Sequence, residues 1–169
     1  MKNIFIIILL FTSFLFANEL KFGVYTSDKP SIMYKKFKPV LEYLEKDLQK
    51  KGINTKIKLK IYPSYEEAIT GLINSEYDFA RFGPASYILS KNRNNNIKLL
   101  VMEVVDNKKT FNGVFITKND SNITSLKDLN NKTFAFGNDK STIGRYLSQA
   151  ELLNKGISSK ELKSFEYLG

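Results

Sequence analysis

The stretch from Phe136 to Gly144 combines the chemical groups that bind an anion. A β-rich run, residues 133–136, leads through a short loop to Ser141 and Thr142, which begin a predicted helix. The first N–H groups of a helix have no acceptor inside it, the helix dipole adds partial positive charge, and the two hydroxyls can donate hydrogen bonds. Gly144 has no side chain, so a ligand or an opposing part of the chain can approach closely there. These residues form a candidate anion site.

A purely structural role explains the same hydroxyls, because Ser and Thr are common helix N-caps. The spacing alone leaves both interpretations open. The loop is not a nucleotide-binding P-loop, since Asp139 precedes Lys140 and Ser141 where that motif requires glycine.

The composition restricts the chemistry that this chain can perform. Its 169 residues include no cysteine, histidine or tryptophan. A disulfide framework, a thiolate nucleophile, a cysteine-ligated metal cluster and a serine–histidine triad are therefore excluded. The acids lie mostly on predicted helix faces, as at Glu66 and Glu67, which disfavours an exported carboxylate enzyme. We predict a protein that is not an enzyme and that needs no cofactor or metal.

The net charge of +9 does not by itself indicate nucleic-acid binding. Of the 26 basic residues only Arg81, Arg93 and Arg145 are arginine, the residue that nucleic-acid readers favour for bidentate contacts. The lysines are spread along the whole chain and form no single patch. This distribution is typical of a solvated surface, and we predict no nucleic-acid partner.

Residues 1–17 are predicted to be a secretory signal peptide. Lys2 precedes an apolar run that ends at Ala17, and the run is shorter than the roughly 20 residues of a membrane span. An uncleaved anchor or a buried N-terminal strand is the alternative. A lipid-attachment motif is excluded because it needs cysteine. We expect the mature chain to begin at Asn18 or Glu19 and to function in the periplasm.

The remaining sequence alternates predicted strands and helices. Strands are predicted over residues 20–25, 56–62, 78–82, 97–105, 111–117 and 133–136, and helices over residues 31–51, 64–76, 84–95 and 141–154. Pro39 falls inside the first helix, which therefore either starts near it or bends there. The alternation predicts an α/β fold with a largely parallel sheet. Ligands of such sheets lie in the loops after the strands, here those that follow Tyr25, Tyr62, Phe82 and Phe136.

A polar segment, residues 106–109, indicates a crossover between two parts of the molecule. We expect a first α/β lobe over residues 18–105 and a second over residues 106–169.

Several short strings follow one another in a set order along the chain. They are Leu20-Lys21-Phe22-Gly23-Val24, Pro63-Ser64-Tyr65, Tyr77-Asp78-Phe79-Ala80 with Gly83-Pro84-Ala85, Leu126-Lys127-Asp128-Leu129, and Phe136-Gly137 with Ser141-Thr142-Ile143-Gly144. This series resembles the periplasmic phosphate/phosphite/phosphonate-binding proteins of ABC transporters. The resemblance implies a type II periplasmic-binding-protein-like fold, in which two α/β lobes close on an anionic ligand.

The resemblance also implies which residues hold that ligand. In such proteins a Ser-Thr-Ser-Gly turn at a helix N-terminus binds the phosphorus oxyanion, and its counterpart here is Ser141, Thr142, Ile143 and Gly144. Ile143 lacks the third hydroxyl but keeps its backbone N–H. These residues therefore become the expected oxyanion site.

Aromatic residues are expected to line the same cleft. Tyr65 matches a cleft tyrosine of the family, while Phe111 stands where the family has a second tyrosine, so it can stack but cannot donate a hydrogen bond. Tyr87, beside Ser86, is either a ligand contact or a half-buried helix residue. Asp78 is expected to stabilise its turn and not to touch the anion.

The function that the resemblance implies is delivery of a small oxyanion to the ABC transporter permease in the inner membrane. The alternative is the ligand-sensing ectodomain of a membrane signalling receptor, a histidine kinase or a diguanylate cyclase, with the same fold. A type II binding protein crosses into its second lobe and returns to the first, which takes more residues than this chain has. We therefore expect an incomplete second lobe and little or no ligand binding by residues 18–169 alone.

Overall fold

The computed structural model of the chain describes residues 18–168, so the predicted signal peptide lies outside the described residues. The first sheet has β1 (Asn18–Tyr25) at its centre, between β2 (Thr55–Tyr62) and β3 (Phe79–Ala80). All three strands are parallel, with Leu20 opposite Ile57 and Phe22 opposite Phe79. Their carboxyl ends therefore lie at the same edge of the sheet.

Three helices accompany this sheet: α1 (Pro30–Lys50), α2 (Tyr65–Ile73) and α3 (Pro84–Arg93). The apolar periodicity predicts α1 correctly, and the helix continues through Pro39 without ending there. Ser64 caps α2, as predicted, by accepting a hydrogen bond from the N–H of Glu67 at 3.1 Å. The acids in the first turn of α2 complement the positive end of its dipole.

The second sheet contains β4 (Thr133–Phe136) and β5 (Ser164–Tyr167), which are parallel. A 3₁₀ turn, Leu126–Leu129, precedes β4. The predicted helix after β4 is one continuous helical stretch, but its first part, Thr142–Leu147, has π-helical geometry and only then becomes α4 (Ser148–Asn154). It ends two residues before Gly156, which has a positive φ of 77°.

Each sheet has its own hydrophobic core. The first core lies between α1 and the first sheet and contains Phe22, Val24, Met33, Leu41 and Ile57. The second packs α4 and the segment after it on β4 and contains Leu129, Phe136, Leu152, Ile157 and Leu162. The two cores are separate, so the chain forms two α/β units.

Tyr77 lies across β1 and is only 2% exposed. Its hydroxyl donates a hydrogen bond to the carbonyl of Ala68 in α2, and burial raises the pKa of this phenol well above its ordinary value. The ring occupies the space over Gly23, where a Cβ atom would lie 2.4 Å from it. Glycine at this position therefore lets Tyr77 connect β1 to α2.

Two strand predictions are wrong. Residues 97–105 and 111–117 contain no strand; in this part of the chain the structure has only an isolated bridge between Val105 and Lys108. Both segments are exposed instead of buried. Their apolar pattern suits a strand, but a strand also needs a neighbour with which to pair, and the described residues supply none. A third strand prediction, residues 78–82, is confirmed only over Phe79–Ala80.

The fold class is thus α/β, with two units as expected. The division of these units at residues 105 and 106 stays a prediction. Among residues 18–168, no helix combines the length and the apolar character that crossing a bilayer requires.

Candidate functional site

The candidate site begins with two tyrosines at the carboxyl edge of the first sheet. Tyr25 is the last residue of β1, and Tyr65 is the first residue of α2, the helix that follows β2. Their rings stack with centroids 3.8 Å apart and planes inclined by 21°. Tyr25 is 6% exposed, so its ring is a buried support beneath the more accessible Tyr65.

Tyr25 also fixes the start of α3. Its hydroxyl oxygen accepts a hydrogen bond from the N–H of Gly83 at 2.8 Å. Gly83 is the N-cap of α3, and a Cβ atom there would come within 3.1 Å of the same hydroxyl. One buried phenol therefore positions the beginnings of both α2 and α3.

The second part of the site is the Ser141 loop, which we define as residues 137–144 and which runs from the end of β4 into the first residues of the π-helical turn. Ser141 is the N-cap, because its hydroxyl oxygen accepts a hydrogen bond from the N–H of Gly144 at 3.0 Å. Within the described chain the N–H groups of Thr142 and Ile143 have no acceptor. The capping interpretation is therefore correct, and it still leaves two free donors at the helix N-terminus.

Two glycines hold the Ser141 loop closed. The N–H of Gly137 donates to the carbonyl of Gly144 at 2.8 Å. A Cβ atom on Gly144 would lie 2.8 Å from the Cα of Gly137. The close approach that the sequence suggests at Gly144 is thus made by the loop's own backbone, and not by the first unit.

Two contacts join the Ser141 loop to the first unit. The hydroxyl of Thr142 accepts a hydrogen bond from the N–H of Ala85, in the first turn of α3, at 2.9 Å. Tyr65 lies beside Ser141: burial raises the pKa of the Tyr65 phenol, whereas the neighbouring Ser141 hydroxyl lowers it. Burial has the larger effect, so Tyr65 is a neutral hydrogen-bond donor at physiological pH.

Charged side chains surround these contacts. Glu66 pairs with Arg93 of α3 at 2.5 Å and with Lys140 of the Ser141 loop at 3.5 Å. The hydrogen bond from Arg93 is the largest of the interactions that lower the pKa of Glu66. Arg81 follows β3, and its positive charge lowers the pKa of Tyr65. The site therefore has cations nearby, each of which is paired with an acidic side chain.

The structure thus brings together four of the predicted residues, namely Tyr65, Ser141, Thr142 and Gly144. Ile143 belongs to the same loop, but its side chain faces Gly113, where a Cβ atom would lie 2.8 Å from its Cγ2 atom. Its contribution to the site is therefore its backbone.

The other two predicted residues have no such arrangement. Phe111 is 62% exposed and lies two residues before Gly113. Tyr87 is half-buried on α3, which is the structural alternative given for it above. Ligand contacts by Phe111 and Tyr87 stay predictions. Asp78 stabilises its turn as expected, by accepting a hydrogen bond from the N–H of Lys21 at 2.7 Å.

Sequence reasoning missed Tyr25 and Arg81 as parts of the site. The rule that ligands bind after parallel strands points to the end of β1, where Tyr25 lies, but the aromatic neighbours of Tyr25 are typical of a core residue.

Within residues 18–168, no group of three or more acidic side chains is arranged to hold a metal ion.

The sequence matches a known family over most of its length. A profile of the ABC transporter, phosphonate, periplasmic substrate-binding proteins covers residues 22–169. The chain belongs to this family. A curated member, the probable ABC transporter phosphite binding protein PhnD1 of Prochlorococcus marinus (strain MIT 9301), is 28% identical in an alignment 163 residues long, and the match covers 90% of this chain and 52% of PhnD1.

Solved structures of the family have the same fold. PhnD1 of Prochlorococcus marinus in complex with methylphosphonate has a TM-score of 0.69 and 24% identity, over 90% of this chain and 56% of that chain. A binding protein component of an ABC phosphonate transporter from Pseudomonas aeruginosa has a TM-score of 0.68 and 19% identity, over 90% of this chain and 51% of that one. The fold is therefore type II periplasmic-binding-protein-like. The chain spans about half the length of these relatives.

Proposed function

We propose that this chain forms the oxyanion-holding part of a periplasmic solute-binding protein for phosphonate-type anions. The observation that carries the proposal is the Ser141 loop, which presents two free N–H groups at a helix N-terminus, between two hydroxyls and opposite Tyr65. The family, that of the periplasmic phosphonate substrate-binding proteins of ABC transporters, supports the same class of ligand.

The chemistry of the loop suits a tetrahedral oxyanion. The N–H groups of Thr142 and Ile143 offer donors to one ligand oxygen, and the helix dipole adds partial positive charge. The hydroxyls of Ser141 and Thr142 each accept one hydrogen bond from the protein, and a hydroxyl that accepts still has its own proton to donate. Neutral Tyr65 offers a further O–H. Compared with a Ser-Thr-Ser-Gly turn, the loop has one hydroxyl donor fewer, because Ile143 stands where that turn has its second serine.

The role that follows is binding and delivery, without catalysis. We infer a periplasmic location, a small oxyanion as ligand and an ABC transporter permease as partner, because the relatives named above are binding proteins of transporters. Their transport role favours this assignment over a signalling receptor with the same fold.

The test is a titration of the 169-residue chain, labelled with ¹⁵N-glycine, with methylphosphonate, inorganic phosphate and acetate. NMR detects millimolar binding, which suits the weak affinity expected of this chain alone. We expect saturable shifts of the Gly144 and Gly83 amide signals with both phosphorus oxyanions and none with acetate. Gly52 and Gly156, which are remote from the site and have open space around them, are internal references.

A pair of matched double variants checks that the hydroxyls hold the anion. Ser141→Ala combined with Thr142→Val removes both loop hydroxyls and should weaken binding by roughly tenfold or more, since a hydrogen bond to a charged group contributes roughly 1.5–3 kcal/mol. Thr133→Val combined with Ser164→Ala removes the hydroxyl pair that joins β4 to β5 at 3.0 Å and should leave binding unchanged. Equal affinities for the two double variants would show that the two loop hydroxyls do not hold the anion.

A further inference from the structure

Arg145 differs from the other two arginines of the chain in having no acidic partner. Arg81 pairs with Glu103 at 2.8 Å. Arg93 pairs with Glu66 at 2.5 Å. Arg145 is half-buried, yet it forms no ion pair with any acidic side chain of residues 18–168. A guanidinium that is partly removed from water without a carboxylate needs other acceptors, and Arg145 has them in the Ser141 loop and in α4.

The guanidinium of Arg145 binds the backbone of the Ser141 loop. Its Nη1 atom donates a hydrogen bond to the carbonyl oxygen of Asp139 at 2.6 Å. The carboxylate of Asp139 pairs instead with Lys140 at 3.1 Å. Arg145 thus reaches back six residues along the chain, in the direction that long side chains take on a helix. Because the donor is charged, this hydrogen bond is stronger than one between neutral groups.

The π-helical turn places Arg145 where it can make this contact. The N–H groups of Arg145 and Tyr146 both donate to the carbonyl of Ser141, at 3.1 Å and 3.3 Å. The second of these bonds closes the wider ring of a π-turn, a geometry that often occurs at functional sites. Arg145 therefore holds the loop twice, through its N–H at Ser141 and through its side chain at Asp139.

Other elements of the second unit hold the guanidinium in place. Its Cζ atom lies 4.9 Å from the ring centroid of Tyr146 and 5.4 Å from that of Tyr167 in β5, within the range of cation–π attraction. Its Nε atom donates to the side-chain oxygen of Gln149 in α4 at 3.4 Å. The side-chain nitrogen of Gln149 in turn donates to the hydroxyl of Tyr167 at 2.9 Å. The guanidinium thus links the loop to α4 and β5.

The hydrogen bonds of the loop leave donors free while they engage acceptors. Within the described chain the N–H groups of Thr142 and Ile143 have no acceptor. A carbonyl oxygen carries partial negative charge, which repels an anion unless a donor compensates it. Five carbonyls of the loop accept hydrogen bonds, namely those of Asn138, Asp139, Ser141, Ile143 and Gly144. Of these, the carbonyl of Asp139 depends on the side chain of Arg145.

We propose that Arg145 is the positioning residue of the oxyanion site. By binding the Asp139 carbonyl, it holds the Ser141 loop in the conformation in which the N–H groups of Thr142 and Ile143 are available to the anion. Arg145 acts through the backbone of the loop and does not touch the ligand. This role rests on the proposed function, but the conformation of the loop can be measured without a ligand.

The first measurement is amide hydrogen exchange in the ligand-free 169-residue chain labelled with ¹⁵N-glycine. The N–H of Gly137 donates to the carbonyl of Gly144 inside the loop, so its exchange with solvent reports whether the loop is closed. Arg145→Met retains a long side chain that can pack on the two tyrosines but removes the donor to Asp139. We expect the Gly137 amide of this variant to exchange at least fivefold faster than in wild type.

The second measurement is the affinity of the same proteins for methylphosphonate, followed at the Gly83 amide. We expect Arg145→Met to bind at least fivefold more weakly than wild type. Lys155→Met is the matched control, because it removes one positive charge from the same unit, where Lys155 pairs with Glu151 at 3.8 Å. Its exchange at Gly137 and its affinity should stay within twofold of wild type. Equal losses in the two variants would overturn the proposal, since net charge would then explain them.

Arg145→Lys separates the geometry of the side chain from its charge. An ammonium group lacks the planar fork that binds the Asp139 carbonyl and Gln149 together. We expect exchange at Gly137 in this variant to lie between the values of wild type and Arg145→Met. Unchanged signals of Gly23 in β1 and of Gly156 after α4 report that both units are folded. If Arg145→Met loses the Gly156 signal, the lysine variant decides.

Two further results would overturn the role of Arg145. One is exchange at Gly137 at the wild-type rate in the folded variants. The other is faster exchange with unchanged affinity, because Arg145 would then stabilise the loop without serving the site. Failure of the proposed function has a different signature, namely no shifts with methylphosphonate in wild type itself.

Discussion

The hydroxyl of Thr142 accepts a hydrogen bond from the backbone N–H of Ala85 at 2.9 Å. This bond joins the Ser141 loop of the second unit to the first turn of α3 in the first unit. Ala85 is the second residue of α3, so its N–H has no acceptor within the helix. Thr142 therefore serves as a cap for a helix that belongs to the other unit.

The first prediction concerns this bond. Thr142→Val keeps the shape of the side chain but removes the acceptor, which leaves the N–H of Ala85 unpaired. We expect the free energy of unfolding to fall by about 1 kcal/mol, measured by urea denaturation. Thr142→Ser keeps the hydroxyl and should lose less than half as much. If the valine and serine variants are equally stable, the bond between the units does not contribute.

The second prediction concerns the backbone of the Ser141 loop. Gly144→Ala would place a Cβ atom 2.8 Å from the Cα of Gly137. This clash involves backbone atoms, which cannot rotate away as the end of a side chain can. We expect the loop to open, the hydrogen bond between these glycines to break, and phosphonate-induced shifts at Gly83 to disappear from the NMR spectrum of ¹⁵N-glycine protein. Protection of β1 amides should persist because that strand belongs to the other unit.

Gly113→Ala is the matched control for that experiment. Its added Cβ atom would meet only the Cγ2 atom of Ile143, which is the end of a side chain and can rotate away. We expect phosphonate binding by this variant to stay within about twofold of wild type, since the backbone of the loop is untouched. A similar loss of binding in both variants would show that the loop tolerates no added volume on either side.

The third prediction compares two buried serines on α3. Ser86 is 1% exposed, and its hydroxyl has no hydrogen-bond partner among residues 18–168. The hydroxyl of Ser90 donates to the carbonyl of Ser86 at 2.8 Å. Ser86→Ala removes a buried polar group without breaking a bond, so the free energy of unfolding should stay the same or rise. Ser90→Ala should lower it by about 1 kcal/mol.

Urea denaturation of the two alanine variants checks this order. Both substitutions remove one hydroxyl from the same helix, so changes in helix propensity cancel. A larger loss for Ser86→Ala than for Ser90→Ala would mean that the Ser86 hydroxyl has a partner in solution.

The local elements follow from the sequence because their determinants are local. The apolar positions of α1 repeat with helical spacing, and β2 alternates over Ile57, Leu59 and Ile61. The cap at Ser64 and the positive φ of Gly52 are likewise properties of a few adjacent residues. Elements of this kind need no information from distant parts of the chain.

Strand pairing cannot be predicted from the local sequence in the same way. The 97–105 and 111–117 segments have a strand-like composition, but a strand is stable only when it pairs with another. Their composition does not reveal whether a partner is present, so the prediction of buried strands was wrong. The same limit applies to Tyr25. Its position at the end of β1 was apparent, whereas its stacking on Tyr65 and its bond to Gly83 arise from the way three strands assemble.

The final prediction concerns the effect of pH on the ion pairs of Glu66, of which the pair with Lys140 connects the two units. Glu66 pairs with Arg93 and Lys140, and these cations hold its pKa below the ordinary value of 4.5. A carboxyl whose pKa is lowered by folding stabilises the native state above that ordinary value. The stabilisation is lost as the pH falls through the lowered pKa, because protonation removes the charge that both cations require.

Glu66→Gln isolates this contribution, since glutamine has the same shape and no charge. We expect wild type to be more stable than the variant at pH 7, by a difference that stays constant down to about pH 5 and then declines towards zero as the pH falls further. Thermal unfolding of both proteins between pH 7 and pH 3 measures the difference. Repeating the pH 7 measurement at about 1 M NaCl should reduce it, because Glu66 is partly exposed and salt screens the pairs. A difference that grows on acidification would mean that Glu66 is destabilised by its neighbours, contrary to the pairing described above.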